Sequence, residues 1–134
     1  MVTNVNLMAV ALAALTTFLV GGVWYSQNVL GRIWGRESGL IGRIDKKGHH
    51  PAFVFIVSYL LAFIAAYVVA RLLGPNPGLQ HAVRRGIMLG FGIAATSFGI
   101  NYLFGNRSLK LWLVDAGYHV VQFATIGVVL GLML

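Results

Sequence analysis

The chain contains no cysteine and has three acidic residues in 134, Glu37, Asp45 and Asp115. Without cysteine there are no disulfides, thiolate metal sites or thiol nucleophiles. With so few carboxylates, and no nucleophile, base and orienting group at a recognisable spacing, hydrolase or transferase chemistry has no residues to carry it. We therefore expect no enzyme, no catalytic residues, no cofactor and no metal ion. Charge of either sign is scarce: 10% of residues are charged, against roughly 25% in soluble domains. The flank ahead of the first apolar run (Val2, Thr3, Asn4) lacks the Lys or Arg of a secretory signal, so that run reads as a retained membrane helix.

What is abundant is apolar. Hydrophobic residues make up 58% of the chain, and the mean hydropathy is +0.81. The sequence predicts an all-α integral membrane bundle, a single domain over 1–134 with spans near 5–30, 52–73, 86–104 and 109–134. Each run meets, within tilt, the about 20 residues that cross a bilayer, and helices satisfy their own backbone in lipid.

The net charge of +7 does not indicate nucleic acid, because the basic residues sit in short connections between apolar spans. The first connection carries Arg32, Arg36, Arg43, Lys46 and Lys47 among apolar residues, and these are candidates for anionic lipid headgroups. It reads equally as a helix in the headgroup layer and as a flexible loop weakened by glycine. The first and third connections hold seven of the ten Lys and Arg, which places them in the cytoplasm and both termini outside. The second turns through Pro75, Asn76, Pro77 and Gly78. The third, around Gly105, Asn106 and Arg107, is short enough to make the last two helices antiparallel neighbours.

Each span carries small residues four apart, the spacing that lets helix backbones approach in lipid. They are Ala9, Ala13, Thr17 and Gly21; Ser58, Ala62, Ala66 and Ala70; Gly86, Gly90 and Ala94; and Gly127 and Gly131. Some of these faces are expected to join protomers of a homo-oligomer or to recruit other membrane proteins. Gly90, Gly92 and Ala95 also match a dinucleotide-binding pattern, but within a hydrophobic helix that match has no force.

Polarity is one-sided. If the last helix crosses the bilayer to Leu134, then Asp115 lies near the opposite interface, with Tyr118, His119, Gln122 and Thr125 following on one face. Polar residues of the other spans gather at that end: Trp24, Tyr25, Ser26, Gln27 and Asn28; Ser58 and Tyr59; Thr96, Ser97, Asn101 and Tyr102. One reading is a polar chamber open to the cytoplasm, built from Asp115, His119, Tyr118, Gln122, Tyr25, Asn28, Asn101 and Tyr59, which binds or passes a proton, cation or small solute. The other is an interfacial aromatic belt with a structural Asp115–His119 hydrogen bond, in a scaffold protein that conducts nothing.

Two motifs fall at this end. Gly22, Trp24, Tyr25 and Ser26, with Gly31 and Trp34, and the later Asp115, Gly117, Tyr118 and His119, resemble the bacterial and fungal membrane family termed domain of unknown function 1761. Gln27 stands where that family often has proline. The resemblance implies a four-helix fold and a location in a membrane, expected here to be a bacterial inner (plasma) membrane, and it implies no activity.

Overall fold

The computed structural model describes residues 5–39 and 49–134. Arg43, Lys46 and Lys47, three of the headgroup candidates, lie outside the described residues. Where described, the chain is helical: α1 Leu7–Trp24, α2 Gly31–Ser38, α3 Pro51–Leu73, α4 Leu79–Leu89, a π-helical turn Gly90–Ala95, α5 Thr96–Phe104 and α6 Leu109–Met133. The α4 helix, the π turn and α5 run on as one helix, giving four in all that are long and apolar enough to cross a membrane.

Side chains set the boundaries. Asn6, His50 and Ser108 cap the starts of α1, α3 and α6 by accepting the amides of Ala9, Ala52 and Leu111, each at 3.1 Å. The turn after α3 needs positive φ at Gly74, Asn76 and Gly78, so a Gly-Pro-Asn-Pro-Gly string suits it. Two boundaries differ from the sequence expectation. The first span ends at Trp24 rather than Leu30, because Tyr25–Leu30 fold into turns that fasten the Gly31 amide to the Ser26 carbonyl at 2.8 Å. The third starts at Leu79 rather than Gly86, taking Arg84 and Arg85 into its first turns.

The first connection begins as a helix. Along α2, Gly31 and Gly35 are buried while Arg32 and Arg36 are exposed, the pattern of an amphipathic segment.

The α6 helix is the centre of the bundle, with α1 and the third spanning helix against it and α3 packed mainly on α1. Small residues make these approaches possible. A Cβ at Gly90 would stand 2.9 Å from the Val120 Cα, and one at Gly131 would stand 2.9 Å from the Leu79 Cα. Gly86 and Gly127 are equally constrained, against Phe123 and Ala82 backbone atoms. Ala13, Ala62 and Ala66 are buried, and Gly21 faces Tyr118. All eight of these packing candidates are thus placed within one chain. The half of the bundle away from α2 is closed by Ala9, Val10, Ala66, Val69, Ala82, Ile126 and Leu130. Outside, Leu103 and Phe104 are 81% and 91% exposed, an exterior suited to lipid.

The π turn changes which face of the third helix meets α6. Continuing Gly86 and Gly90 at α-helical spacing leads through Ala94 and Ser97 to Asn101. Instead the residues turned inward after Gly90 are Ala95, which is buried, then Gly99 against Trp112, then Tyr102. A π turn accommodates one extra residue, so every later position moves on by one.

Candidate functional site

The two sequence motifs interlock. From the end of α1, the Trp24 indole N–H donates to the Val114 carbonyl at 2.9 Å, one turn above Gly117. A Cβ at Gly117 would stand 2.9 Å from the Trp24 Cζ2, so only glycine leaves room for the ring. Tyr25 follows and donates its hydroxyl to one oxygen of Asp115 at 2.6 Å. Trp34 of α2 meets the Tyr25 ring edge-on with centroids 5.9 Å apart. Gly31 permits that return, since a Cβ there would collide with the Tyr25 carbonyl. Ser26 closes the turn through the Val23 carbonyl at 2.8 Å.

Asp115 is buried, at 8% exposure. Its second oxygen accepts the Tyr102 hydroxyl at 2.5 Å. A carboxylate has about four acceptor sites, so two hydroxyls leave it partly free. Among the described residues it has no cationic partner within 4.0 Å. Arg107, on the adjacent turn, donates instead to the Ser38 carbonyl at 3.5 Å.

His119 does not bond Asp115. Its Nδ1 lies 2.6 Å from the Gln122 side-chain oxygen, and its ring stacks on Phe98 at 4.7 Å between centroids. Tyr118 donates to the Thr17 carbonyl at 3.1 Å and leans on Tyr25 at 5.4 Å. Three members expected in the chamber sit elsewhere. Tyr59 donates to the Ala11 carbonyl at 3.1 Å on the α1–α3 seam, and Asn28 and Asn101 are exposed. Polarity and span end could place these residues at the right depth, but not around the helix.

Sequence alone places Tyr102 at the polar end of its span but not among the chamber residues. A signal did exist, because across a short antiparallel turn it lies about 3 Å into its helix and Asp115 about 9 Å into the next, within reach of a tyrosine. Trp112 also ties two helices together: its indole crosses Gly99 to donate to the Ala95 carbonyl at 2.9 Å, where the π turn ends.

These side chains border a cleft. A cavity of about 810 Å³ is lined by Tyr25, Trp34, Phe55, Phe98, Asp115 and His119 among others. A second, of about 650 Å³, shares Tyr25, Phe55, Phe98 and His119 with it and runs on between Leu61, Ala62 and Ala65 of α3 and Ala94 of the third helix. Gly22 also lines it, and nothing stands within 4 Å of where its Cβ would be. The cleft exists because α3 packs on α1 and leaves its other flank apart from the third helix. Its far end is stopped by the packed half of the bundle. Among the described residues no cluster of three or more His, Asp or Glu forms a metal-binding group.

Compared with known proteins, residues 8–131 match the family model described as protein of unknown function (DUF1761). No curated protein and no solved structure matches the chain.

Proposed function

The chain belongs to the DUF1761 family of proteins of unknown function, and from its geometry we propose that it binds a small molecule in an intramembrane cleft entered from the end that carries α2. The observation that carries this reading is the position of Asp115: a buried carboxylate, held by two neutral hydroxyls, at the mouth of an aromatic cleft. An ionisable side chain within a membrane is costly and is ordinarily kept for a task. Two linked cavities of several hundred Å³ fall in the size range of small-molecule sites, about 300–1,000 Å³.

The same geometry favours binding over permeation by one chain. Beyond Gln122 the bundle is closed by aliphatic side chains and by glycine contacts between α4 and α6. Among the described residues, the buried side chains that close that half are all aliphatic. The basic bias of the α2 connection supports a cleft mouth on the cytoplasmic side.

The test is ligand binding by purified protein in lipid nanodiscs. A panel of cationic, neutral and anionic amphiphiles is titrated against tryptophan fluorescence, with empty nanodiscs as the reference. Saturable binding that is weakened by Phe98→Ala supports the reading. A panel that produces no saturable signal overturns it.

A further inference from the structure

We propose that the occupant of this cleft is an organic ammonium ion with an apolar substituent, its cationic centre at Asp115 and its substituent lying between α3 and the third spanning helix. The inference rests on the reading of the cleft as a binding site and goes on to assign its ligand chemistry.

Charge gives the sign. Asp115 is the only acidic residue on the four long helices, and its recorded partners, Tyr25 and Tyr102, are neutral donors. A carboxylate in a medium of low dielectric gains strongly from an opposite charge beside it. An anion at the same place is repelled.

The lining gives the kind of cation. Around the cleft mouth stand the rings of Tyr25, Trp34, Phe55, Phe98 and Tyr118, with Tyr25 central to the group at 5.9 Å from Trp34 and 5.4 Å from Tyr118. Aromatic faces attract a cation through their quadrupoles, most of all a diffuse organic one that sheds its water readily. A metal ion wants six or more oxygens, or three nitrogen, oxygen or sulfur ligands at set distances. Here the cleft offers one carboxylate and one imidazole, short of three ligands among the described residues, and the carboxylate's neighbours point hydroxyl hydrogens at it.

The deeper cavity gives the rest of the molecule. Past His119 the walls are mainly Leu61, Ala62, Ala65, Ala94 and Phe123, with the Gln122 side-chain oxygen engaged by His119, and they suit a hydrocarbon group. From Asp115 to Phe123 the cleft follows α6 for about 12 Å, enough for a substituent of several carbons.

The experiment compares two probes of equal shape, benzyltributylammonium and its uncharged carbon isostere, against the full chain in nanodiscs. We expect the ammonium to bind about tenfold more tightly or better, the order of a desolvated cation–π and charge contact. Asp115→Asn should erase that preference and leave the isostere unaffected. Trp34→Leu, which keeps Asp115 and both its hydroxyl donors, should reduce the preference and provides the comparison if the Asp115 variant does not fold. Equal binding of the two probes by the wild type, or a preference unchanged in the folded variants, overturns the ammonium assignment while the cleft reading stands. If neither probe binds, and the wider amphiphile panel is also silent, both fall.

Discussion

Gly117 lies against the indole of Trp24, with room for nothing larger: a Cβ there would stand 2.9 Å from the ring. Valine at 117 should therefore push the indole off the Val114 carbonyl. We expect Gly117→Val to cost about 1–3 kcal/mol, the usual range for overpacking. Trp24→Ala in the same chain should recover part of the loss. Unfolding titrations in mixed micelles measure both, and additive losses would contradict the contact.

The Tyr25–Asp115 hydrogen bond links the end of α1 to α6. Hydrogen bonds to charged groups contribute about 1.5–3 kcal/mol, so Tyr25→Phe should destabilise by that order. In a double-mutant cycle with Asp115→Asn the two effects should be non-additive, as expected of partners in contact. Tyr102→Phe should behave in the same way, through the other carboxylate oxygen.

Glycines in this chain should differ sharply in tolerance. At Gly127 a Cβ would stand 2.5 Å from the Ala82 carbonyl oxygen, a backbone atom that cannot swing away. Gly127→Val should cost about 3 kcal/mol or leave the chain unfolded. Gly22 has open space, and Gly22→Ala should stay within about 0.5 kcal/mol. Thermal unfolding of the two variants beside the wild type decides this.

Trp112 holds the Ala95 carbonyl at the end of the π turn. Trp112→Phe keeps the ring and loses the N–H, at a cost of about 1 kcal/mol. Hydrogen exchange should quicken at residues 95–99 and remain slow in α6. Uniform exchange across the third helix would show that the indole has no part in holding the turn.

The sequence was most legible where a property depends on depth along a helix. Hydropathy is a running sum over neighbours, so four apolar helices and the polar end near Asp115 could be read without knowing any contact. Small residues four apart were legible for a similar reason, because the spacing is local. The two motifs could be quoted, but not the fact that Trp24 rests on Gly117.

What only the tertiary structure decided is direction around each axis. Successive residues on a helix point about 100° apart, so a one-residue displacement replaces the inward side chain entirely. The π turn makes that displacement, and it is why Tyr102 rather than Asn101 reaches Asp115. Tyr59 has the right depth and faces the α1 seam instead. His119 lies one turn from Asp115, yet takes Gln122 as its partner. Composition and spacing fixed how deep each polar group sits, and helix phase and packing fixed which of them meet.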